Sequence, residues 1–373
     1  MKSLVIVQPY VPSYRAQFFR KLEEQLLAVG VQLTIVSGRP PRKQALRSDA
    51  VALSCQIEVD TNHIRFKNRS INLGGTTPRW KTADGVILGL EGSSIDLYRA
   101  IGRRRFSNLK VGVWGHVKSY VNAGNVVDMA LERWQMKNVD HVFAYTEGGS
   151  AYAAATGISQ DRITALMNSV DTGSLEREKA QLLQDPSLSA EFRRTYDLEP
   201  NKTLAYMGGL DESKRIGFLA QALDRFWDLS PSVKILIAGK GSDSELLSRA
   251  VERGQVVMLG YADDRVKAQL GLAASAFLMP GRVGLVAVES ILLGRPLLTT
   301  SWPFHSAEIE YLSEGVTMYT SKDDPLAYAG LMHQVVTERG SRKSLDGSEW
   351  EYPTLDGMVG RYTAGVKTMM EID

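Results

Sequence analysis

The sequence lacks the features of several protein classes. Only one of its 373 residues, Cys55, is a cysteine, which excludes an internal disulfide or a multi-cysteine metal site and favours a reducing cytoplasmic location. Apolar runs are short, as at residues 4–7, far below the roughly 18 residues that a membrane-spanning helix needs. The same run is shorter than the apolar part of a secretory signal, about 7–15 residues. We therefore expect a cytoplasmic protein.

Motifs of several other enzyme classes are also missing. No Gly-x-Gly-x-x-Gly follows the first predicted strand, which argues against a nicotinamide dehydrogenase. Residues 239–242, Gly-Lys-Gly-Ser, are not a phosphate-binding P-loop, because Lys234 stands where that loop has its first glycine. Asp-x-Asp, His/Cys clusters and Gly-x-Ser-x-Gly are absent. We accordingly expect neither a bound catalytic metal nor a hydrolase nucleophile elbow.

The charge of the chain is unevenly distributed. The chain has 44 basic residues (Lys and Arg) and 42 acidic residues (Asp and Glu). Residues 1–172 contain 22 basic and 14 acidic residues, and the remainder of the chain contains 22 basic and 28 acidic residues. Basic residues cluster at 38–47, at 65–69 and at Arg99 with residues 103–105. This pattern favours either an anionic partner, such as the inner face of a membrane or a phosphorylated acceptor, or simply solvated loops and helix faces. Nucleic acid is disfavoured, because aromatic residues do not interleave with the basic runs.

Short apolar runs alternate with longer amphipathic segments, the pattern of βαβ units and parallel sheets. We predict two doubly wound α/β domains, at 1–172 and 173–350, and a C-terminal helix within 351–373 that packs back on the first domain. Ligands of such sheets bind at the carboxyl ends of the strands, so we expect the site in a cleft between the domains. The predicted strands are 4–7, 31–36, 86–90, 110–114, 142–145, 203–207, 233–238, 256–259, 276–279 and 296–300. Helices are predicted at 15–29 and 216–229, among others.

The strongest local signal is the segment 279–296, MPGRVGLVAVESILLGRP. A strand runs into a loop that contains Gly284, and a helix is predicted to begin near Leu285 or Val286. Because unpaired amides and the helix dipole attract anions at such a helix start, we predict that this loop binds a diphosphate. Glu289, one turn into the helix, could reach a ribose hydroxyl. The predicted loop contacts are Gly281, Arg282, Val283, Gly284, Leu285 and Val286.

This segment resembles the donor-binding signature of retaining glycosyltransferases of the GT-B fold, family 4, which reads roughly Pro…Glu-Gly-Phe-Gly-Leu-x-x-x-Glu-Ala…Gly-x-Pro. The resemblance extends over residues 5–308 and implies two Rossmann-like doubly wound domains facing a cleft. It also implies a nucleotide-sugar donor, UDP- or GDP-linked, with no cofactor or metal. Further matching segments, in the family's order, are 113–116 (VWGH), 163–172 (ITALMNSVDT), 206–215 (YMGGLDESKR) and 237–241 (IAGKG).

The resemblance also implies roles for individual residues. Lys214 and Arg215 would hold the donor diphosphate, Glu289 the ribose and His116 the donor sugar. His116, Lys214 and Glu289 are therefore the predicted catalytic residues. Loop glycines would complete the donor site, namely Gly208, Gly209, Gly239 and Gly241.

Several of these residues have a second interpretation. Gly239 and Gly241 could be turn glycines only, and Arg282 is ambiguous between a donor contact and a structural residue. Tyr14 and Arg15, at the start of the first predicted helix, either face the acceptor or pack within the first domain. We expect the other histidines to be structural: His63, His141, His305 and His333.

The sequence departs from the family pattern at three places. The first carboxylate of the paired Glu motif is replaced by Gly281, and the arginine of the family's Gly-Arg-Leu by Gly209. The glycine-rich turn often found after the first strand is missing as well, and Ser13 is predicted to cap the helix there. Recognition of the donor sugar would therefore depend on other groups, such as the loop amides or Arg282.

Together these features predict a retaining, hexosyl-type glycosyltransferase. The acceptor would be a hydroxyl of a glycan or a lipid-linked intermediate in polysaccharide or glycoconjugate synthesis, held by the basic first domain. No side-chain nucleophile is evident, so the resemblance implies front-face attack. Two alternatives remain open: a non-catalytic nucleotide-sugar-binding protein, and a nucleotide-sugar epimerase of the same fold.

Overall fold

The structure, a computed structural model, describes residues 1–38, 51–60, 63–66, 69–72, 75–118, 126–338 and 350–372, with the backbone alone at 63–66 and 69–72. The predicted basic cluster at 65–69, and all but Gly38 of the cluster at 38–47, lie outside the described side chains. The chain divides into two compact units. Unit 1 comprises Met1–Asp171 and Pro353–Asp373, and unit 2 comprises Thr172–Tyr352.

The described elements alternate strand and helix along most of the chain. The strands are β1 (Lys2–Gln8), β2 (Val31–Ser37), β3 (Gln56–Glu58), β4 (His63–Phe66), β5 (Arg69–Asn72), β6 (Gly85–Gly89), β7 (Lys110–Gly115), β8 (His141–Ala144), β9 (Ile163–Ala165), β10 (Thr203–Met207), β11 (Lys234–Ala238), β12 (Val256–Gly260), β13 (Phe277–Leu278), β14 (Leu297–Thr300) and β15 (Met318–Ser321). The helices are α1 (Ser13–Ala28), α2 (Thr77–Trp80), α3 (Ile95–Arg104), α4 (Val126–Lys137), α5 (Glu147–Ala155), α6 (Gly173–Gln184), α7 (Pro186–Thr195), α8 (Ile216–Leu229), α9 (Ser248–Glu252), α10 (Asp264–Ala273), α11 (Val286–Leu292), α12 (Pro325–Thr337) and α13 (Leu355–Met370). Short 3-10 turns lie at Gln160–Arg162, Glu212–Lys214, Ser244–Leu247 and Ala307–Tyr311.

Unit 1 is built on a seven-stranded parallel sheet in the order β3-β2-β1-β6-β7-β8-β9, and β4 pairs with β5 as a separate antiparallel ribbon. Successive residues of β1 are buried on opposite faces: Leu4 packs in one core cluster and Val5 in the other. Strands covered on both faces read as nearly continuous apolar runs, which is why the sequence marked β1 so clearly.

The last helix, α13, packs on the sheet of unit 1. The ring of Tyr362 stacks on Phe143 with centroids 4.7 Å apart and meets Trp114 edge-on at 5.2 Å. Gly112 in β7 makes room for this helix, because a Cβ there would lie 2.8 Å from the sulfur of Met369. The C-terminal segment therefore completes the core of unit 1.

The predicted cap of α1 is wrong. Helix α1 begins at Ser13 itself, and Pro12 occupies the cap position without a side-chain hydrogen bond. The fixed φ of proline, here −75°, suits that position, and the Pro12 carbonyl accepts from the amide of Arg15. Ser13 is thus one position too late to cap the helix.

Unit 2 is built on a six-stranded parallel sheet in the order β12-β11-β10-β13-β14-β15. The chain first winds outward from β10 to β12 and then returns to β13, on the other side of β10. Strand order therefore reverses between β10 and β13, and doubly wound sheets bind ligands outside the carboxyl ends of the strands at such a point. The loops that follow β10 and β13 consequently define the candidate site.

Candidate functional site

The loops after β10 and β13 touch through their backbones. A Cβ at Gly281 would lie 2.4 Å from the carbonyl carbon of Lys214, and the amide of Arg282 donates to the carbonyl of Ser213 at 2.9 Å. Any side chain at position 281 would displace backbone atoms. The carboxylate that the resembled family has at this position cannot be accommodated here, which gives the departure at Gly281 a structural cause.

Lys214 is held against the loop after β13. The carboxylate of Asp211 caps the 3-10 turn by accepting from the amide of Ser213 at 3.0 Å and from its hydroxyl at 2.5 Å. From the end of this turn, the Lys214 ammonium donates to the carbonyl of Arg282 at 2.6 Å. Lys214 therefore brings a positive charge to the loop and also fixes the loop's position.

Arg215 is paired with a carboxylate. Its guanidinium donates to both carboxylate oxygens of Asp323, at 2.5 and 3.2 Å, and to the carbonyl of Pro280 at 3.3 Å. It lies 4.3 Å from the ring centroid of Phe218. The backbone of Arg215 is left-handed, with φ +56°, a conformation that residues other than Gly, Asn and Asp seldom adopt. These contacts brace the site, and the predicted role of Arg215 at the diphosphate stays a prediction.

Arg282 differs from Arg215 in its partners. Its guanidinium makes no hydrogen bond or ion pair with any residue that the structure describes, and its Nε is buried without an acceptor. Buried donors in proteins nearly always have a partner, so an orphan of this kind points to a missing one. Among the cations of the two described loops, Lys214, Arg215 and Arg282, it is thus Arg282 whose donors are unused.

The amides of the loop fall into two groups. Those of Arg282 and Val283 are used, the second by donating to Nδ1 of His305 at 3.2 Å. Those of the next three residues donate to no acceptor within the described part of the chain. These three amides at the start of α11 belong to Gly284, Leu285 and Val286.

His305 holds this loop through hydrogen bonds of both ring nitrogens. Since its Nδ1 accepts from Val283, its Nε2 donates to the carbonyl of Thr300, at 3.2 Å. Burial lowers the pKa of His305, and the charges of Lys214 and Arg215 lower it further. A neutral imidazole with the proton on Nε2 satisfies both bonds. The structure gives His305 a structural role, as expected from the sequence.

Glu289 forms an ion pair that the sequence did not reveal. It lies in the first turn of α11, its side chain is 17% exposed, and its Oε1 accepts from the ammonium of Lys267 at 2.8 Å. The Oε2 atom accepts no hydrogen bond from a described residue. Lys267 lies on α10, 22 residues earlier, and no spacing rule connects the two positions.

The glycines after β10 and β11 let the two loops run side by side. A Cβ at Gly239 would lie 1.9 Å from the carbonyl oxygen of Gly208, and one at Gly241 would lie 2.0 Å from that of Leu210. The carbonyl of Gly209 accepts from the buried Tyr206 hydroxyl at 2.7 Å. Close backbone packing thus accounts for the glycines at 239 and 241. Their predicted contacts with a donor stay predictions.

His116 follows β7 in unit 1, in a strained turn. Val117 has φ +64°, and the amide of Lys118 donates to the carbonyl of His116 at 2.7 Å. This three-residue turn is rare and strained, and such strain concentrates at functional sites. The His116 ring meets that of Tyr145 at 4.5 Å. Its contact with a donor sugar stays a prediction of the resemblance.

Arg15 is part of the core of unit 1. Only 6% of the residue is exposed, its guanidinium donates to the amide oxygen of Asn168 at 2.6 Å, and it lies 5.4 Å from the ring centroid of Trp114. Tyr14 is 45% exposed. The packing interpretation of Arg15 therefore has direct support, and the acceptor role of the two residues stays a prediction.

The basic cluster on α3 is partly neutralised. Arg104 makes a two-bond ion pair with Asp140, at 2.6 and 2.7 Å, and Arg99 contacts Asp96 at 3.3 Å. These pairs favour the interpretation of this cluster as a structural and solvated surface. The helices in the described part of the chain include none with the length and apolar content to cross a membrane.

Two of the remaining histidines have structural partners. His141 lies 2.8 Å from the Thr164 hydroxyl, and burial lowers its pKa to about 4. His333 lies 2.8 Å from the hydroxyl of Ser230. The side chain of His63 lies outside the described part of the structure. Among described residues, no group of three or more His, Cys, Asp or Glu is arranged to hold a metal ion.

Comparisons with known proteins point to one class for unit 2. Residues 201–338 match the family described as glycosyl transferases group 1. An uncharacterized glycosyltransferase of Methanocaldococcus jannaschii is 24% identical over 160 residues, 41% of this chain and 40% of that protein. A phosphatidyl-myo-inositol mannosyltransferase of Mycolicibacterium smegmatis is 30% identical over 105 residues, 26% of this chain and 27% of that protein. The aligned parts thus span less than half of each curated relative.

Solved structures show the fold of the whole chain. The UDP complex of Anabaena Alr3699/HepE has a TM-score of 0.69 at 12% identity, over 98% of this chain and 100% of that one. A glycosyltransferase of Rickettsia africae has a TM-score of 0.68 at 13% identity, over 100% and 99%. The chain has a GT-B fold with two Rossmann-like parallel-sheet domains, which confirms the predicted fold class. Within its second unit, residues 201–338 are similar to the group 1 glycosyl transferase family.

Proposed function

We propose that this protein is a retaining glycosyltransferase that transfers a hexosyl group from a nucleotide diphosphate to a hydroxyl acceptor. One observation carries the proposal. At the point where strand order reverses in unit 2, the Arg282 guanidinium and three amides lack acceptors among the described residues, one turn before the Glu289 carboxylate. Unused donors followed by an acceptor match a nucleotide, which presents an anionic diphosphate beside a ribose diol. The group 1 match over 201–338 supports the same class.

In the proposed site each residue has one task. Arg282 and the amides of Gly284, Leu285 and Val286 bind the diphosphate, and Glu289 binds the ribose. Lys214 adds charge and keeps the loop in place through its bond to the Arg282 carbonyl. Arg215 supports the loop through Asp323 and the carbonyl of Pro280. This assignment places the main diphosphate contact on Arg282 rather than on Arg215.

The proposed reaction needs no protein nucleophile. The bond from the anomeric carbon to the diphosphate oxygen breaks, and the acceptor oxygen bonds to the same face of that carbon. Because the new bond forms on the face that the leaving group occupied, the configuration is retained. The acceptor proton passes to the departing phosphate oxygen. Negative charge grows on the leaving diphosphate, and donors already fixed around it lower the barrier. Removing one such donor from an oxyanion-type site typically costs about 2.7–4 kcal/mol.

The base and the acceptor are proposed more broadly. The Anabaena structure is described as a UDP complex, and the family resemblance implies a UDP- or GDP-linked donor, so UDP- and GDP-linked sugars are the donors to screen. A hydroxyl of a glycan or of a lipid-linked intermediate is the proposed acceptor. Binding of this acceptor by unit 1 near the inner membrane face rests on the charge excess of residues 1–172 alone.

The test combines ligand binding with turnover. In a thermal-shift screen of UDP- and GDP-sugars, a donor at 100 times its Kd should raise the free energy of unfolding by about 2.7 kcal/mol. With the stabilising donor and a panel of glycans, NMR of the product should show the anomeric configuration of the donor. Donor released slowly as free nucleotide and sugar without acceptor would also fit a transferase.

The controls separate the alternatives. The Arg282→Gln and Glu289→Gln variants should lose the thermal shift, whereas Arg249→Gln, on the exposed ion pair of Arg249 with Asp224, should keep it. Stabilisation with no nucleotide release under any condition would favour a non-catalytic binding protein. Conversion of the donor sugar without nucleotide release would favour an epimerase. An inverted product would contradict the retaining mechanism.

A further inference from the structure

A partly buried lysine contacts the carboxylate proposed to bind ribose. The ammonium of Lys267, on α10, lies 2.8 Å from Oε1 of Glu289 and 3.2 Å from Oδ1 of Asp264. The side chains of Lys267 and Glu289 are 24% and 17% exposed. Burial alone would lower the pKa of Lys267, but the carboxylates of Glu289 and Asp264 outweigh it and raise that pKa. The lysine therefore stays charged at neutral pH.

The distance between the two helices is fixed one turn further along. Gly271 of α10 packs on Leu293, at the end of α11, so closely that a Cβ would lie 2.8 Å from a Leu293 methyl carbon and 3.0 Å from its Cβ. The Gly271 carbonyl also accepts from Arg295 at 2.5 Å. Residues four apart lie on one face of a helix. The ion pair of Lys267 with Glu289 and the packing of Gly271 on Leu293 are therefore two neighbouring contacts between the same two helix faces.

This contact leaves Glu289 half used. A carboxylate has two oxygens and about four positions that can accept hydrogen bonds. Lys267 occupies Oε1, and Oε2 accepts nothing from a described residue. A carboxylate with little exposure needs a partner for its charge. Lys267 is that partner and also restricts how the carboxylate can turn.

We propose that Lys267 is a positioning residue for nucleotide recognition, because it holds Glu289 so that the carboxylate accepts hydrogen bonds from the two hydroxyls of a ribose. This inference rests on the proposed function and specifies its donor: a ribonucleotide is bound in preference to one that lacks the ribose hydroxyls. Lys267 acts through Glu289 and does not touch the nucleotide.

The test is a comparison of affinities for nucleotides with and without the ribose diol. By calorimetry, the wild-type protein should bind UDP or GDP about 10- to 100-fold more tightly than the 2′,3′-dideoxy counterpart, since hydrogen bonds to a charged group are worth about 1.5–3 kcal/mol. In Lys267→Met this ratio should fall to about threefold or less, while the affinity for the dideoxy nucleotide stays within about threefold of wild type. Lys267→Arg should restore most of the ratio.

Two further variants guard against a general loss of structure. Lys179→Met removes an ammonium group on α6 that donates to the carbonyl of Leu292 at 2.8 Å. Leu292 lies on α11, as Glu289 does, but the bond does not involve Glu289, so this variant should keep the wild-type ratio. Gly271→Ala moves the helices apart without changing any charge and should reduce the ratio.

The outcomes are distinct. A wild-type ratio retained by Lys267→Met would overturn the inference, and so would equal losses for the ribo and dideoxy nucleotides. Wild-type protein that binds UDP or GDP and its dideoxy form equally well would overturn the inference and leave the proposed function standing. Wild-type protein that binds neither UDP nor GDP would overturn both.

Discussion

The Cα of Gly281 lies directly against the backbone of Lys214, so that a side chain at position 281 would meet main-chain atoms at 2.4 to 2.7 Å. Restoring the glutamate of the resembled family should therefore harm the protein rather than improve it. We expect Gly281→Glu to lower the free energy of unfolding by about 1–3 kcal/mol or more, as overpacking does. Thermal unfolding should show a fall in Tm of several degrees.

The matched control for this change is Gly284→Ala. A Cβ at Gly284 would meet only the Ser306 hydroxyl within 4 Å, at 3.9 Å, so this variant should unfold within about 1 °C of wild type, because the added methyl group causes no overpacking. A Gly281→Glu protein with unchanged Tm and tighter donor binding would refute the steric explanation.

The two arginines of the site should respond differently to the same substitution. Arg282→Gln removes a guanidinium that bonds to no described residue, so we expect a small change in Tm and a loss of nucleotide affinity of tenfold or more, since charge-assisted bonds to phosphate are strong. Arg215→Gln breaks the pair with Asp323 and should lower Tm more than it lowers nucleotide affinity. Calorimetric titration with UDP and GDP and thermal unfolding of both variants measure this contrast. A loss of nucleotide affinity in Arg215→Gln together with a loss of stability in Arg282→Gln would instead assign the diphosphate contact to Arg215.

The left-handed backbone of Arg215 can be tested by two truncations that differ only in one methyl group. Alanine and glycine at this position both remove the contacts of the guanidinium with Asp323 and Pro280. Only alanine retains the strain of φ +56°, which costs about 1–2 kcal/mol for a residue with a Cβ. Urea denaturation should find Arg215→Gly more stable than Arg215→Ala by about 1 kcal/mol, and equal stabilities would contradict the left-handed conformation.

Acid should destabilise unit 1 through His141. Burial lowers the pKa of His141 to about 4 from its usual 6.5, so between these values the unfolded chain binds a proton that the folded unit does not. The contribution is fully present above pH 6.5 and is lost as the pH falls towards 4. From pH 7 to pH 5 the loss should be about 2 kcal/mol.

The measurement for His141 is urea denaturation of unit 1 at both pH values, followed by tryptophan fluorescence. In His141→Gln, which can still hydrogen-bond Thr164 but does not titrate, the difference between pH 7 and pH 5 should shrink by about 2 kcal/mol. The His333→Gln variant serves as control, since His333 lies on unit 2, and it should leave the pH dependence of unit 1 unchanged.

Much of the fold could be predicted from local patterns. The bounds predicted for β10 and α8, 203–207 and 216–229, are those of the structure. Their apolar runs are buried, and a change of conformation marks each boundary, at Gly208 and at Arg215. Strands β3 and β15 were missed because both are short edge strands with little burial. Edge strands of this kind give almost no apolar signal.

The site was less predictable, because its decisive contacts join distant parts of the chain. Local patterns marked Glu289 and Arg215, but their partners Lys267 and Asp323 come from separate elements. Likewise the sequence shows that Gly281 replaces a carboxylate, and only the packing of two loops shows why. Residue type indicates which chemistry is available, whereas tertiary contacts decide which cation is already neutralised.

The return of α13 to unit 1 has a consequence for biosynthesis. Tyr362 fills the space beside Phe143, yet the ribosome reaches it only after the whole of Thr172–Tyr352. At about 5–20 residues per second, the nascent sheet of unit 1 waits on the order of ten seconds or more with that face uncovered. Unit 2 can finish folding before unit 1 does. During this interval the apolar face that a chaperone would bind lies on unit 1, in the earlier half of the chain.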